Sequence, residues 1–374
     1  MYSRIEKNIL SKFPTLVKPF LQNVFENKNY LRRKKLNFML NQIEMKFSRN
    51  YLLSYPYYLV IDPTNICNLR CPLCPTWQDT HARPKGTMDI GTFKRLFDEI
   101  GQYIFVINLC NWGEPLLNPA LPEMITYAKQ FNAVVGLSTN LNYLPENTAR
   151  KLMLSGIDII VISIDGASQK SYSKYRVGGD LTTVLYNTEK LLSYRGNVQS
   201  PLLIWQFLVN RFNESEIERA ENMARKMGIQ FNAAPMRTSM GKELLLPLYE
   251  RVKEISDWLP VNPSFHKYAY EIKPDTRTKQ EFCRWLWNAA VVNWDGSVSP
   301  CCGVFENKWD FYTYGNKGGN SPFHRVWNSP RYRLARKLVS AYMKKSKDLN
   351  LLLQHSEKEG LICSKCIHYG FLED

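Results

Sequence analysis

Cys67, Cys71 and Cys74 are the residues whose type and spacing point most directly to chemistry. They stand in one short stretch, directly after the apolar run 58–61. Iron–sulfur clusters are held by cysteine thiolates and commonly take four of them. Three thiolates on one loop would hold three corners of such a cluster and leave one iron open to a small molecule. The same spacing also fits a zinc ion with a distant fourth ligand, so both interpretations stay open at this point.

Four of the other cysteines form a second group, near the C-terminus. They are Cys283, Cys301, Cys363 and Cys366, of which the last two form a Cys-x-x-Cys pair. A structural zinc ribbon is one use of such a group. Two further cysteines, Cys110 and Cys302, stand outside both groups. Buried free cysteine commonly behaves as a small hydrophobe, and we expect this of both, although Cys302 adjoins Cys301 and could be an alternative ligand or a hydrogen-atom donor.

Apolar runs between residues 57 and 240 predict the elements that position the first cysteine group. Strands are predicted over 58–61, 105–109, 133–137, 159–162, 202–209 and 229–233, and helices over 119–131, 147–155, 181–194 and 214–227. Near-continuous apolar strands that alternate with helices are typical of a parallel sheet. Six strands are fewer than a closed eight-stranded barrel needs, so we expect an open, partial (β/α)6 barrel. The first cysteine group then follows a strand's C-terminal end, where ligands bind in such folds.

The alternation of strands and helices stops near residue 240, and cysteine and tryptophan become dense. Asp295-Gly296 stands between two β-prone runs, which predicts a hairpin. We therefore divide the chain into a basic amphipathic helical extension (1–56), an α/β partial barrel (57–240) and a small C-terminal domain (241–374). We expect a cytoplasmic protein, because no apolar run reaches the ~18 residues of a membrane span and no signal peptide precedes the first domain.

The net charge of +15 is concentrated in two segments. Residues 1–50 carry eleven Lys and Arg against three acidic residues, a net charge of +8, and residues 331–347 carry seven against none. Solvated helix faces would explain both segments. Attraction to an anionic partner is the alternative: a membrane surface, a phosphorylated or nucleotide-linked substrate, or RNA. Of these, nucleic acid is the partner we do not expect.

The residue pattern of the N-terminal extension predicts a helix that either contacts a membrane or packs against the body of the protein. Arg32-Arg33-Lys34-Lys35 is followed by Leu36, Met39, Leu40 and Ile43 at helical spacing. Such a segment could dock peripherally on a membrane through residues 1–50. Packing of its apolar face against the body is the commoner outcome.

Around Cys67, Cys71 and Cys74 the sequence closely resembles the radical S-adenosylmethionine (SAM) enzymes, over about residues 57–240. The resemblance implies a partial (β/α)6 barrel with these cysteines on the loop after its first strand. It implies SAM and a [4Fe-4S] cluster as cofactors, and hydrogen abstraction from carbon by a 5′-deoxyadenosyl radical. It makes zinc the less favoured metal at this loop. It also implies a reductant such as flavodoxin or ferredoxin.

Several SAM contacts are implied residue by residue. They are Leu73 in the cysteine loop, Gly113 and Glu114 in Gly-Glu-Pro, Ser138 and Asn140 after the third strand, Ser163 and Asp165 after the fourth, and Arg176. A carboxylate accepts from the methionine ammonium, hydroxyls and carboxylates suit the ribose diol, and a guanidinium pairs bidentately with a carboxylate. Ordinary alternatives are a helix N-terminus at Gly-Glu-Pro, a strand-to-helix turn at Asp165 and a surface salt bridge at Arg176.

Beyond residue 241 the cysteine pattern resembles the SPASM/twitch domains appended to radical SAM enzymes. The separation of Cys283 and Cys301 is similar to that in an aminocyclitol dehydrogenase of the family. The resemblance implies one auxiliary [4Fe-4S] cluster on Cys283, Cys301, Cys363 and Cys366. Four protein ligands leave no iron open to substrate, which favours an electron-accepting role. We therefore expect oxidation or epimerisation of a sugar, cyclitol or other anionic or lipid-linked metabolite. A peptide maturase and a noncatalytic Fe–S electron carrier are the alternatives.

Overall fold

The computed structural model of the chain describes residues 3–78, 82–195, 200–236, 257–265, 283–314 and 322–368. The stretch that opens the predicted C-terminal domain therefore lies largely outside the described residues.

Parallel strands form the body of the protein, as predicted. They are β1 (Tyr58–Ile61), β2 (Val106–Asn108), β3 (Val134–Thr139), β4 (Ile159–Ser163), β5 (Leu202–Val209) and β6 (Gln230–Pro235). Each strand pairs in parallel with the next one along the chain. Parallel sheets are covered by their crossover helices, and β1 to β5 are accordingly rich in fully buried side chains.

Helices follow these strands in the order that an α/β fold requires. They are α4 (Pro75–Gln78), α5 (Ile90–Ile100), α6 (Leu121–Lys129), α7 (Glu146–Leu154), α8 (Gln169–Tyr175), α9 (Leu181–Arg195) and α10 (Ile217–Met227). Local capping explains several of their ends. Asp89 accepts a hydrogen bond from Thr92 N at 2.8 Å and begins α5, and Ser168 forms a capping box at α8. Helix α5 was not among the predicted helices.

The N-terminal extension covers the sheet at the N-terminal ends of its strands. It forms α1 (Arg4–Ser11), α2 (Lys18–Glu26) and α3 (Leu31–Lys46). Ile9, Leu21 and Val24 lie in one apolar cluster with residues at the beginnings of the strands, among them Val134 and Ile159. The opposite, C-terminal ends of the strands are the ends that carry the cysteine loop.

The sheet continues into the C-terminal part of the chain. Strand β7 (Ala289–Val292) pairs in parallel with β1, so that β1 lies between β2 and β7. Strands β8 (Ser297–Ser299) and β9 (Tyr312–Thr313) add antiparallel pairs, which confirms the predicted hairpin. Gly296 has φ of +81°, and a side chain there would collide with Tyr314 O. The nine described strands therefore form one sheet that crosses the predicted domain boundary.

Helices cover the last part of this sheet. They are α11 (Trp285–Asn288), α12 (Phe323–Trp327), α13 (Pro330–Met343), α14 (Leu349–Lys358) and α15 (Ile362–His368). Within the described ranges, no helix combines the length and the apolarity that crossing a bilayer requires.

Candidate active site

The three-cysteine loop lies at the C-terminal end of β1, as its position in the sequence predicts. The thiols of Cys67, Cys71 and Cys74 lie in an apolar cluster of which the buried members are Leu69, Leu73, Tyr175 and Met236, beside Cys71 itself. Two contacts fix the loop. Cys74 N donates to Cys71 O at 3.0 Å, and Arg70 N donates to Val177 O at 2.9 Å. Leu73, a predicted SAM contact, is one of the buried apolar residues that pack beside the thiols.

Burial sets the charge state of these thiols in the protein without a cluster. Desolvation raises the pKa of Cys67 to about 12 and that of Cys71 to about 11, and the neighbouring thiols raise the pKa of Cys67 further. The three thiols form no disulfide. The raised pKa values keep Cys67 and Cys71 protonated at neutral pH, and binding of a metal cluster must release these protons.

Cations and donors around the thiols suit an anionic cluster. Arg176 Nη1 lies 3.9 Å from Cys71 Sγ, and Asn140 Nδ2 lies 3.8 Å from Cys67 Sγ. Lys85 donates to Asn65 O at 3.2 Å and Thr76 O at 2.9 Å, which places its charge beside the same loop. Hydrogen bonds and charges near the sulfurs tune and stabilise thiolate-bound clusters. These residues fit the SAM-binding [4Fe-4S] cluster that the resemblance implies.

A mononuclear metal site is not present in the part of the chain that the structure describes. There, no three His, Cys, Asp or Glu side chains converge on one point as ligands of a single ion must. A cubane differs from a single ion, because its irons occupy separate corners and each thiolate binds its own iron.

Glu114 joins the Gly-Glu-Pro stretch to the end of β3. Its carboxylate accepts from Thr139 Oγ1 at 2.6 Å, Asn140 N at 2.7 Å and Leu116 N at 3.1 Å. Its backbone N donates to Ile66 O at 2.8 Å, directly beside Cys67. Burial raises the pKa of Glu114, and the three donors oppose that rise. Glu114 therefore joins its own segment to the end of β3 through its carboxylate and to the cysteine loop through its backbone N–H.

Gly113 is required at its position by close backbone contact. Its φ is +87°, and an added Cβ would collide with Thr64 O and approach Asn65 Cα to 2.8 Å. The glycine thus lets the Gly-Glu-Pro stretch lie against the segment that leads into the cysteine loop.

We expect Glu114→Gln to weaken SAM binding by roughly tenfold or more and to destabilise the fold by about 1–3 kcal/mol. The amide would place a donor against Asn140 N–H or Thr139 O–H, leaving buried groups unpaired. Equilibrium binding of SAM and thermal unfolding measure the two effects. Glu123→Gln is the matched control, since Glu123 is exposed and forms a surface ion pair with Lys94. Equal behaviour of the two variants would contradict this account of Glu114.

Asp165 and Arg176 are brought together as an ion pair. Arg176 Nε donates to Asp165 Oδ2 at 2.6 Å, and Leu208 N donates to Asp165 Oδ1 at 2.7 Å. Burial raises the pKa of Asp165, while Arg176 and the hydrogen bonds lower it. Both carboxylate oxygens are engaged, so we propose that Asp165 positions Arg176, whose Nη1 lies 3.9 Å from Cys71 Sγ in the cysteine loop. Ser138 and Ser163 lie on β3 and β4 at the same end of the sheet.

Asp62 also lies at this end of the sheet and was not among the residues predicted from the sequence motifs. It follows β1 directly, and its Oδ1 accepts from Asn111 N at 2.9 Å and Trp112 N at 2.7 Å. Its Oδ2 is buried and has no hydrogen-bond partner among the described residues. Burial raises the pKa of Asp62 to about 7, against the lowering effect of these two donors and of Arg83. The available signal was an acidic residue at the end of an apolar strand, beside the cysteine loop.

Trp112 and Arg83 connect the cysteine loop region to the C-terminal segment. Trp112 Nε1 donates to Val304 O at 3.0 Å, and its ring meets that of Phe305 edge to face at 5.3 Å. Arg83 is fully buried and pairs bidentately with Asp310, with both distances 2.8 Å. Trp112 stands where many radical SAM enzymes have glycine, and this contact is what its large side chain adds.

The second cysteine group is gathered in the C-terminal core. Cys363 is buried in the main hydrophobic core, against which Cys283, Cys301 and Cys366 pack. Cys283 and Cys301 lie close enough to Cys363 for their charges to raise the pKa of its thiol. Cys363 and Cys366 lie three residues apart in α15, which places both side chains on one face. Burial raises the pKa of Cys301 and Cys363. The group fits an auxiliary [4Fe-4S] cluster, for which all four thiols must lose their protons.

The two spare cysteines have different surroundings. Cys302 lies beside Cys301, close enough to raise the pKa of that thiol. Its carbonyl accepts from the Asn111 amide at 3.1 Å, in the amide orientation that satisfies both groups. Cys110 is near Asp62, and burial raises the pKa of Cys110 far above the ordinary thiol value. A catalytic role for Cys302 stays a prediction.

Comparison with known proteins agrees with the fold and both cysteine groups. A profile of the radical SAM superfamily matches residues 61–227, and a profile of the SPASM iron–sulfur cluster-binding domain matches residues 283–367. The chain therefore carries a radical SAM domain over residues 61–227 and a SPASM domain over residues 283–367. These two domains confirm the predicted cofactors, which are SAM, a SAM-binding [4Fe-4S] cluster and auxiliary iron–sulfur chemistry.

Individual relatives have diverse activities. A tungsten-containing aldehyde ferredoxin oxidoreductase cofactor-modifying protein of Pyrococcus furiosus is 27% identical over 315 residues, which cover 76% of this chain and 85% of that protein. A GTP 3′,8-cyclase of Clostridium botulinum is 25% identical over 267 residues, covering 65% and 80%. The crystal structure of Streptococcus suis SuiB bound to S-adenosylmethionine shares the fold, with a TM-score of 0.54 and 15% identity over 81% of this chain and 72% of SuiB.

Proposed function

We propose that the enzyme oxidises a C–H centre of a small anionic metabolite, with a sugar, a cyclitol or a related cofactor precursor as the substrate class. The main support for the proposal is that one continuous sheet joins the two parts of the chain that contain the cysteine groups. The first group follows β1, and Cys301 of the second follows β8. Contacts of Trp112 and Arg83 connect the same two parts. The relatives named for cofactor modification and GTP cyclisation support a small anionic substrate. Epimerisation of the same centre is the alternative outcome.

The bound groups would supply the radical chemistry. SAM with its cluster supplies a 5′-deoxyadenosyl radical, and an auxiliary cluster on Cys283, Cys301, Cys363 and Cys366 supplies a one-electron acceptor. Oxidation of a secondary alcohol to a ketone removes one hydrogen atom, one proton and one electron. The protein must therefore provide a proton acceptor as well as these two groups.

Asp62 is our candidate for the proton acceptor. Its pKa of about 7 lies near neutrality, where a group can accept and release protons efficiently. Oδ2 accepts no hydrogen bond from the residues that the structure describes, while Oδ1 is held by two backbone donors, so the carboxylate is oriented without being saturated. It stands at the strand end that also carries the cysteine loop. Arg176 and Lys85 would orient anionic groups at the same end of the sheet.

Substrate oxidation is tested with deuterated candidate metabolites and anaerobic, cluster-loaded enzyme. With a substrate deuterated at the reacting carbon, we expect that deuterium in 5′-deoxyadenosine and a product that has lost both the deuterium and the hydroxyl hydrogen. Cys363→Ala and Asp62→Asn should each keep SAM cleavage but lower product formation by roughly a hundredfold or more. With unlabelled substrate in D₂O, a product that keeps the alcohol and carries one solvent deuterium at the reacting carbon would replace oxidation by epimerisation. Label transfer only from peptides would contradict the small-molecule proposal.

A further inference from the structure

Helix α3 is inserted into the protein with its polar face inward. The residues it buries are Lys34, Asn37, Phe38, Asn41 and Glu44. The side chains of Leu36, Ile43 and Phe47, just beyond the helix, are 52%, 54% and 64% exposed. Their spacings of seven and four residues place them on one stripe. This is the reverse of the arrangement expected for a helix at the surface of a globular protein.

Specific polar contacts explain the buried face. Lys34 Nζ donates to Ile104 O, and Asn41 Nδ2 donates to Trp287 O at 2.6 Å. Glu44 accepts from Leu53 N at 2.6 Å. Buried polar groups require such partners, and here backbone groups of distant segments provide them. The orientation of α3 is therefore fixed by many contacts, and the exposed apolar stripe is a consequence of it.

The apolar stripe continues into the segment that follows α3. Tyr51 is 47% exposed and Leu53 is 65% exposed. We call Leu36, Ile43, Phe47, Tyr51 and Leu53 the α3 apolar surface. Large apolar side chains that are exposed together on one stripe of a helix and on the segment directly after it are uncommon on a soluble protein and indicate an interaction site.

Basic side chains from both ends of the chain meet beside this surface. Lys46 and Arg49, next to Phe47 and Tyr51 in the sequence, are exposed. From α13, the exposed Arg333 stacks over the Tyr51 ring at 5.9 Å. The buried Arg336 carries no charge to this surface but joins α13 to the same segment, since its Nη1 donates to Asn50 O at 3.1 Å. The two segments that carry the excess positive charge, 1–50 and 331–347, are thus neighbours in the fold although about 280 residues separate them.

We propose that the α3 apolar surface docks on an anionic lipid bilayer. Large aliphatic and aromatic side chains would enter the boundary between headgroups and acyl chains, and the flanking Lys and Arg would contact anionic headgroups. Charge complementarity selects this occupant, because the basic segments adjoin the apolar side chains on the same side. Charge alone would suit an acidic protein equally, but the five large apolar side chains would then need a matching apolar patch on that protein.

The α3 contact would hold the enzyme at a membrane surface without a spanning helix. It is independent of the proposed oxidation chemistry, since none of its residues belongs to either cysteine group or to the SAM site. Packing against the body was the commoner outcome expected for the apolar side chains of α3. Membrane docking would give the exposed ones a different partner.

Vesicle sedimentation with the full-length, cluster-loaded enzyme tests the proposal. We expect binding to phosphatidylcholine vesicles that contain about 30% phosphatidylserine, with weaker binding to phosphatidylcholine alone and at high salt. The triple variant Leu36→Ser, Ile43→Ser, Phe47→Ser should lower the partition coefficient by roughly tenfold or more. Circular dichroism and SAM cleavage should be unchanged, because all three side chains are exposed.

A matched control places the same change elsewhere. Leu154 and Val261 are 76% and 78% exposed, on α7 and after β6, and their serine variants should bind vesicles as the wild type does. Failure of the wild-type enzyme to bind the anionic vesicles would overturn the proposal. So would undiminished binding by the triple variant. A dimer in light scattering that only the triple variant loses would assign the surface to a second copy of the chain instead.

Discussion

Replacement of Cys71 by alanine is expected to abolish formation of 5′-deoxyadenosine from SAM. Two thiolates cannot hold a cubane in the arrangement that leaves one iron open to SAM, and Cys71 is the thiol nearest the Arg176 guanidinium. The rate of 5′-deoxyadenosine formation should fall by roughly a thousandfold or more, since no other group of the chain supplies this chemistry. Quantification of 5′-deoxyadenosine after dithionite reduction measures the effect.

The matched control for Cys71→Ala is Cys110→Ala. Cys110 is also a buried thiol close to the site, but it belongs to neither cysteine group, so its variant should cleave SAM within a few-fold of the wild-type rate. Iron content supplies a second readout. Cys71→Ala should lower it from about eight to about four irons per chain, because a cubane contains four. Cleavage of SAM by Cys71→Ala at a rate near that of Cys110→Ala would contradict the assignment of the loop.

Replacement of Arg83 by methionine is expected to lower the free energy of unfolding by about 3–5 kcal/mol. Arg83 has no exposed side-chain surface and forms two hydrogen bonds with Asp310, one with Ser297 Oγ at 2.7 Å and one with Phe305 O at 3.0 Å. Its removal leaves the buried Asp310 carboxylate without its charge partner. Chemical denaturation of the cluster-loaded protein measures the change.

Two variants separate the ion pair from simple loss of a side chain. Lys94→Met removes the exposed pair with Glu123 and should change stability by less than about 1 kcal/mol. In Arg83→Met combined with Asp310→Leu, no unpaired charge is left, so the double variant should be more stable than Arg83→Met alone. If Arg83→Met were as stable as Lys94→Met, the buried pair would not join the two parts of the chain.

Local patterns predicted the elements of the body and the positions of the cysteines. Apolar runs identified β1 to β5 because these parallel strands are largely buried and need no alternation. Strand β6 was also predicted, although none of its residues is fully buried. Helix α5 was missed although Phe93, Leu96, Phe97 and Ile100 have helical spacing. The hairpin was found because Asp-Gly is a strong local turn signal.

Long-range pairing was beyond local patterns. Strand β7 joins β1 across more than 220 residues, and nothing in either strand encodes that partner. The orientation of α3 has the same origin. Its amphipathic pattern gave no sign that Lys34 and Asn41 would find backbone acceptors at Ile104 and Trp287. Asp62 escaped notice for a related reason, since its significance rests on neighbours that only the fold supplies, and the contact of Trp112 with Val304 and Phe305 was equally invisible in the sequence.

The central claim is that this chain reductively cleaves SAM at the Cys67–Cys74 loop. Its most direct test is 5′-deoxyadenosine formation by the anaerobically reconstituted, full-length protein with dithionite and SAM. We expect the formation of 5′-deoxyadenosine to require the protein, SAM and the reductant. Absence of 5′-deoxyadenosine above the protein-free control, from a preparation that holds iron and sulfide for both clusters, would contradict it and leave an electron carrier.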